Sequence, residues 1–356
     1  LTNEGFIEIS IVKVKKPVPS EDEVLIKVEA APINPSDLGL LTTFGADLQS
    51  LEVSGSEDST IARIKVKKAL IGSMKQRLGL SMQVGNEGSG TIIDAGIKSK
   101  ALIGKTVSVA VGGMYSQYRC APSSSCLVMD DNTNFSEAAS SFVNPLTALA
   151  FIETMRMENH SAIVNTAAAS NLGQMLLKIC NNDSIPLVNI VRKSEHVEIL
   201  KNLGAKYVCN TSESDFMSNL VEALFSTGAT LGFDATGGGN EGKLPGQILS
   251  AMEIVANKAS KNYSRYGSNT YKQVYIYGAL DQSPTVLKRS YGLQWGLSGW
   301  LLTPMIKRIG VERFQQMKDR VVKEIKTTFA SKYIKEISFE EMLSPEVLKS
   351  YTKQAT

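Results

Sequence analysis

The stretch "AIVNTAAASNLGQMLLKICNN", Ala162 to Asn182, decides how this chain is read. It opens with a short apolar run of the kind a buried strand needs. Small residues follow, and then Leu172, Met175, Leu176 and Ile179 recur at helical spacing on one face. The segment is therefore a strand, a tight turn and a helix. Working outward, "PLVNIV", "KYVCN", "TLGFDAT" and "QVYIYGA" repeat the strand signal. Between them lie helices such as "EHVEILKNLGA", stopped by Gly204, "DFMSNLVEALFSTGA", and one around Ile248, Met252 and Val255. Five strands alternating with helices predict an α/β unit with a doubly wound parallel sheet.

The chain before this region has a different texture. "EVLIKVEAAPI" alternates apolar and polar residues, and "GKTVSVAVGG" is a β-rich run closed by glycines, which predicts a β-rich lobe. An Ala-rich stretch, "SEAASSFVNPLTALAFIETM", reads as helical and marks the change. After Pro304 a charged helix carries Phe314, Met317 and Val321 on one face, and a short mixed tail returns to the first lobe. The expected division is a β-rich domain of residues 1–138 completed by 306–356, and a doubly wound domain of residues 139–305. Between Gly45 and Gln83 lies a polar stretch whose "KKALIGSMKQRLG" reads as a helix with Ile71, Met74 and Leu78 aligned. Its Lys67, Lys68, Lys75 and Arg77 read as a solvated helix face, with an acidic substrate tail as the other reading.

The totals agree with two globular domains. The chain has 356 residues, 43% hydrophobic and 21% charged, a soluble mixture that excludes wholesale disorder and fibrous repeats. A net charge of +3 and the lack of a dominant basic stripe give no reason to expect nucleic acid or an anionic membrane as partner. Cys120, Cys126, Cys180 and Cys209 lack C-x-x-C spacing, so neither a disulfide framework nor a zinc knuckle is indicated, and a reducing cytoplasm fits best. No apolar run is long enough to span a bilayer. The start "LTNEGFIEIS" lacks a signal-peptide pattern, although its missing methionine leaves room for a removed segment ahead of it.

A dinucleotide site needs a tight strand-to-helix turn, so that backbone N–H groups at the helix N-terminus meet the pyrophosphate. "TAAASNLGQM" stands at that place, and Ala168, Ser170 and Gly173 occupy the three positions where glycines make the usual fingerprint. An unliganded turn of the same shape is the other reading. At the end of the second strand an acid would select NAD by binding ribose hydroxyls. Here "VNIVRKSEH" places Arg192 and Lys193, and an arginine fork suits a 2′-phosphate. A solvent-facing basic pair is the alternative.

Taken together, "EVLIKVEAAPINPSDL", "VGNEGSG", "GKTVSVAVGGMYSQY", "VNPLTALAFIET", the turn after the first parallel strand, "LKNLGAKYV" and "FDATGGG" resemble the medium-chain dehydrogenase/reductase superfamily over almost the whole chain. The likeness is to its zinc-free quinone oxidoreductase branch, and also to its NADPH-dependent enoyl-thioester reductases. It implies a GroES-like β-rich catalytic domain joined to a Rossmann domain. In zinc-dependent members the first metal ligand falls on Asn34 and the histidine on Asn86, and "SFVNPLTA" offers no third ligand. With only two histidines, His160 at a helix end and His196 at a helix start, no zinc site is expected.

The resemblance further implies that Asn34, Asn144 and Thr147 lie near the nicotinamide of NADPH. Ser170, Asn171, Leu172, Gly173, Arg192, Lys193, Asn210 and Gly278 would lie along the rest of that cofactor. The other reading makes Asn34 a turn cap before Pro35, and Thr147 a self-satisfied helix residue. Asp234 either orients the glycine turn after it or touches ligand. Enoyl-thioester reductases carry a tyrosine donor shortly after the "NPSD" element; Phe44 stands there and cannot donate. Tyr115 is the candidate substitute, or a buried tyrosine with its hydroxyl satisfied.

The expected function is a zinc-independent NADPH-dependent reductase of a quinone or α,β-unsaturated carbonyl, with Asn34 and Tyr115 as its catalytic residues. The alternatives are an enoyl-thioester reductase and a non-catalytic NADPH-binding protein. A homodimer is expected through "GLSGWLL", Gly296 to Leu302, which resembles the edge strand that joins two sheets in these relatives.

Overall fold

The computed structural model describes residues 1–43, 46–55, 60–260 and 263–352. Phe44 and Gly45 lie outside the described residues. The chain divides into two compact units, Leu1–Val143 with the tail from Ser331, and Asn144–Ala330.

The first unit contains β1 (Phe6–Ser10), β2 (Glu23–Ala30), α1 (Pro35–Leu41), β3 (Ala46–Ser54), β4 (Ile61–Val66), α2 (Lys68–Ile71), β5 (Gly88–Ala95), β6 (Thr106–Val109), β7 (Tyr118–Pro122), β8 (Leu127–Val128) and α3 (Phe135–Ala139). The strands form a five-stranded antiparallel sheet in the order β7-β2-β5-β6-β8, and a three-stranded one in the order β1-β4-β3. Inward residues of the larger sheet, among them Val24, Ile26, Ile92, Val107 and Val109, make a core with Met114 and Ala121. The alternation seen in "EVLIKVEA" is this inward and outward pattern.

The Gly45–Gln83 region differs from its reading. It contains two strands, β3 and β4, antiparallel to each other, and β4 pairs with β1 on its other side. The alternation in "IARIKV" is the burial pattern of β4, whose Ala62, Ile64 and Val66 are buried. The segment read as one helix is the short α2 followed by a 3-10 turn over Gly72–Arg77. Arg77 does not sit on a solvated face: its guanidinium donates to the carbonyls of Gly39 (2.8 Å) and Leu40 (3.1 Å), at the end of α1. A cation at a helix C-terminus satisfies carbonyls that the helix itself leaves unpaired.

The second unit runs through α4 (Val143–Met157), β9 (Ile163–Asn165), α5 (Asn171–Asn182), β10 (Leu187–Val191), α6 (Ser194–Asn202), β11 (Tyr207–Asn210), α7 (Phe216–Thr227), β12 (Leu231–Asp234), α8 (Leu244–Ala259), β13 (Lys272–Ile276), β14 (Trp295–Gly299), α9 (Leu302–Ile309) and α10 (Val311–Lys323). Its sheet has six parallel strands in the order β11-β10-β9-β12-β13-β14. The strand order reverses between β9 and β12, the doubly wound arrangement with its switch point there. The sixth strand, β14, takes the edge as the reading of "GLSGWLL" expected, though Leu302 already begins α9. One face is covered by α7 and α8 through Phe216, Leu220, Ile248 and Met252. On the other, Phe151 of α4 stacks on Phe233 with ring centroids 3.8 Å apart.

Two boundaries differ from the expected ones. The Ala-rich stretch is two helices, α3 and α4, broken at Ser140–Phe142. The return to the first unit comes at Ser331, well after residue 306. Ion pairs hold α10 in the second unit: Arg313 meets Glu153 at 2.7 Å, and Arg320 meets Asp183 at 2.7 Å. The tail beyond Ser331 forms α11 (Phe339–Met342) and α12 (Pro345–Thr352). Met342 packs with Leu38 and Leu41, and Leu343 and Leu348 pack with Ala62. No helix among the described residues is long and apolar enough to cross a membrane.

Candidate functional site

In the first unit, the functional positions gather where α1 begins and β5 begins. Pro35 starts α1 and restricts Asn34 to the extended backbone seen there, with φ −84° and ψ 155°. The Asn34 backbone N–H donates to Asp37 Oδ2 at 2.8 Å, and its side-chain Nδ2 donates to Glu87 Oε1 at 2.8 Å. The other Glu87 oxygen accepts the N–H groups of Phe142 (3.0 Å) and Val143 (2.8 Å), where the chain enters α4. Asn86 sends its backbone N–H to Asp37 Oδ1 and its amide to Ser36 Oγ, each at 2.8 Å. Asn34 and Asn86, the positions read from the zinc-dependent relatives, thus lie in one polar network. Among the described residues no group of three His, Cys, Asp or Glu side chains comes together to hold a metal ion.

Two carboxyls are enclosed in this network, since Asp37 and Glu87 are both fully buried. Burial pushes Glu87 up to about 7, and nearby Asp37 adds to this, against the opposing pull of the Val143 N–H, the Asn34 amide and the Phe142 N–H. Burial likewise pushes Asp37 up to about 6, opposed by N–H donors of Asn34 and Asn86 and by the Tyr115 hydroxyl. Tyr115 is half-buried against Leu38 and Leu41, and its hydroxyl donates to the Pro32 carbonyl at 2.8 Å. Sequence reasoning missed Glu87 and Asp37. The available signal was a charged residue opening the buried strand in "NEGSG", and an acid three residues after a helix-capping Asn.

In the second unit, the turn between β9 and α5 has the expected form. Ser170 caps α5, its Oγ accepting from Gly173 N at 3.2 Å, and Asn171 and Leu172 open the helix. A Cβ on Gly173 would lie 2.3 Å from the Ala168 carbonyl oxygen, so only glycine lets the helix pass so close to the turn. Ala168 is buried, and Ala167 before it takes the left-handed φ of 47° that glycine would otherwise supply.

Arg192 and Lys193 follow β10 directly, both exposed. Lys193 also lies 3.5 Å from Glu195, and the Arg192 carbonyl accepts from Ser212 Oγ at 2.6 Å. Asn210 pairs in register with Val191, and its side chain shapes its own turn, accepting from Ser212 N at 3.0 Å and donating to Glu213 at 3.2 Å. Asn144 and Thr147 stand one turn apart on α4, Thr147 buried. Gly278 follows β13, and a Cβ there would lie 2.4 Å from the Ala235 carbonyl oxygen.

For Asp234, of its two readings, the structure has it orient the turn. Its Oδ1 accepts from Thr166 Oγ1 (2.6 Å), Thr236 N (3.0 Å) and Thr236 Oγ1 (2.7 Å), and its Oδ2 from Gly237 N (3.0 Å). The histidines are engaged elsewhere in this unit. His160 follows α4, bonds Thr230 Oγ1 at 2.7 Å and is lowered by burial; His196 sits in the first turn of α6 beside Glu195.

No family model matches the chain. Among solved structures it is similar to a putative NADPH:quinone reductase from Mesorhizobium loti, with a TM-score of 0.69 and 25% identity, covering 94% of this chain and 86% of that one. It is also similar to the Escherichia coli quinone oxidoreductase complexed with NADPH, with a TM-score of 0.62 and 15% identity over 96% of this chain and 93% of the other. Among curated proteins, the mitochondrial enoyl-[acyl-carrier-protein] reductase of Xenopus tropicalis is 28% identical over 200 residues, 53% of this chain and 48% of that protein. The chain spans about half the length of such curated relatives. A β-rich unit completed by the C-terminal tail, beside a doubly wound unit of order 3-2-1-4-5-6, is the fold of the medium-chain dehydrogenase/reductases. The chain has that fold, and its solved neighbours include NADPH:quinone oxidoreductases and enoyl reductases.

Proposed function

We propose that this chain is a zinc-independent, NADPH-dependent reductase that delivers hydride to a quinone or an α,β-unsaturated carbonyl. The observation that carries the reading is the commitment of Asn34 and Asn86 to Glu87, Asp37 and Ser36. The two positions that would hold metal in zinc-dependent relatives are here amides in one hydrogen-bond network. Without a Lewis acid to hold an alkoxide, a conjugated acceptor is the substrate that needs least help. Its developing charge moves to a remote oxygen that hydrogen bonds can stabilise.

The nicotinamide cofactor, when bound, supplies the hydride. The N-terminus of α5, capped by Ser170, suits a pyrophosphate at the sheet's switch point, and Arg192 with Lys193 suits a 2′-phosphate. Asn144 and Thr147 would hold the nicotinamide end, with Asn171, Leu172, Gly173, Asn210 and the backbone at Gly278 lining the rest. Asn34 orients the acceptor and polarises its carbonyl oxygen. The Tyr115 hydroxyl donates to the Pro32 carbonyl, and the final proton would come from that hydroxyl or from water. The chain acts in the cytoplasm as a homodimer joined through β14, which occupies the sheet edge. Light scattering of a monomer at micromolar concentration would remove the dimer.

A second reading, an enoyl-thioester reductase, is favoured by the curated relative of that activity. One assay separates the readings: NADPH oxidation against quinones, enones and enoyl thioesters, beside NADP⁺ reduction by saturated alcohols, with zinc measured on the same sample. Fastest turnover of quinones or enones without zinc is expected. One zinc per chain with fastest turnover of alcohols would overturn the proposal, and no turnover with any acceptor would favour a non-catalytic NADPH-binding protein.

A further inference from the structure

We propose that Arg119 is an anion-binding residue that anchors a carboxylate or phosphate group carried by the acceptor. Its role toward the acceptor rests on the reductase reading, while the anion site itself stands on the geometry of the first unit. Arg119 lies on β7 in register with Ile26 of β2. Paired residues of an antiparallel ladder point to the same face, so its side chain leaves the sheet on the side where Ile26 and Ala121 form the core. The guanidinium then lies across Gly113: a Cβ there would come 3.1 Å from its Cζ, 3.2 Å from Nη1 and 2.7 Å from Gln83 Oε1. Glycine leaves that room, and it also accepts the left-handed φ of 67° found at this position.

The guanidinium has a seat but no counter-charge. Nη1 donates to Gln83 Oε1 at 2.7 Å, which is the only hydrogen bond of Arg119 among the described residues. Gln83 is neutral, and Nε is enclosed without a partner. The acids of the neighbouring strand are committed elsewhere: Glu23 Oε2 accepts the N–H and hydroxyl of Ser20 at 3.0 and 2.8 Å, and Glu29 meets Lys27 at 2.8 Å. A half-buried cation short of both water and a partner charge gains by meeting an oxyanion, and Nη2 offers it a charge-assisted bond. The platform under Arg119 belongs to the site already described. Gly112 N–H donates to the Asn86 carbonyl at 3.3 Å, Met114 N–H to that of Gly85 at 3.0 Å and Tyr115 N–H to that of Val84 at 3.0 Å. Arg119, Gln83 and Gly113 are therefore carried by the same backbone as Asn86 and Tyr115. A group bound there belongs to an acceptor whose conjugated carbonyl bears a charged tail.

The test uses two pairs of acceptors that differ by one anionic group: crotonyl phosphopantetheine against crotonyl pantetheine, and 4-oxo-2-pentenoate against its methyl ester, each with NADPH. Arg119→Met removes the charge and keeps an apolar stem for the core, and Arg119→Lys keeps the charge. A charge-assisted bond corresponds to roughly tenfold in affinity or more. Arg119→Met is accordingly expected to raise KM for the charged member of a pair about tenfold, with kcat within about twofold and the uncharged member unchanged. An effect confined to the first pair identifies a phosphate, and one confined to the second a carboxylate. Arg119→Lys is expected to recover part of the loss. Independently of turnover, the Arg119 Nε–H signal, assigned in a ¹⁵N spectrum by its absence in Arg119→Lys, is expected to shift saturably as inorganic phosphate or acetate is added to the wild type. Equal effects of Arg119→Met on both members of each pair, no effect on any of them, or an Nε–H signal that neither anion moves would each overturn the proposal. If the wild type reduces no acceptor the reductase reading fails, and the anion titration still decides the site. The titration also decides it if Arg119→Met does not fold, because it is made on the wild type.

Discussion

Thr166 donates its hydroxyl to Asp234 Oδ1 at 2.6 Å, joining the ends of the two strands, β9 and β12, between which the sheet reverses its order. The Ala235 N–H returns to the same Thr166 hydroxyl at 2.9 Å, so one Thr–Asp pair organises both loops at the switch point. Asp234→Ala orphans several buried donors at once and is expected to cost about 3 kcal/mol or more of unfolding free energy, from about 1–3 kcal/mol for each unsatisfied group. Asp234→Asn, which keeps an acceptor at Oδ1, is expected to lose less. Urea unfolding of both variants checks this, and equal stability of Asp234→Ala and the wild type would refute it.

Cofactor selection is expected to reside at Arg192. A charge-assisted contact contributes about 1.5–3 kcal/mol, so Arg192→Ala is expected to weaken NADPH binding by roughly tenfold or more and to leave NADH nearly unchanged. Fluorescence titration with each nucleotide measures the ratio. Equal losses for the two would assign Arg192 to the structure alone.

The two buried carboxyls give the protein a pH dependence of a definite sign. Glu87 rises from 4.5 to about 7 and Asp37 from 3.8 to about 6 on folding, so the folded chain binds these protons more tightly than the unfolded one. The stability they contribute is full below about pH 4 and is lost as pH rises through 6 and 7. For Glu87 the loss between about pH 5 and pH 8 is on the order of 2–3 kcal/mol. Denaturation midpoints are expected to fall over that range in the wild type and to fall less in Glu87→Gln. A midpoint that rises from pH 5 to pH 8 would contradict the assignment.

Lys272 is fully buried and lies 2.7 Å from Glu253, which also accepts the N–H and hydroxyl of Ser268 at 2.8 and 2.5 Å. The pair ties the start of β13 to α8. Lys272→Met leaves a buried carboxylate without its cation, and a loss of about 3–5 kcal/mol is expected. Glu253→Gln, which keeps an acceptor for Ser268, serves as the comparison. Calorimetry that finds Lys272→Met as stable as the wild type would show that the pair contributes nothing.

The sequence by itself determined the doubly wound unit, because β9, β10, β11 and β12 are each followed by an amphipathic helix and both signals are local. The turn from Ala168 to Gly173 and the position of the basic pair after β10 were legible for the same reason: each is a short motif carried by neighbouring residues. Tertiary structure alone decided the rest. Strand β4 lies between β1 and β3 and pairs with both, and α10 stays in the second unit because Arg313 and Arg320 find Glu153 and Asp183. Asn34 reads in the sequence as a cap before Pro35; only the fold brings Glu87, 53 residues away, to its amide. Composition and periodicity report burial and local geometry, whereas the partner of a buried polar group is fixed by where the whole chain brings a second one within hydrogen-bonding distance.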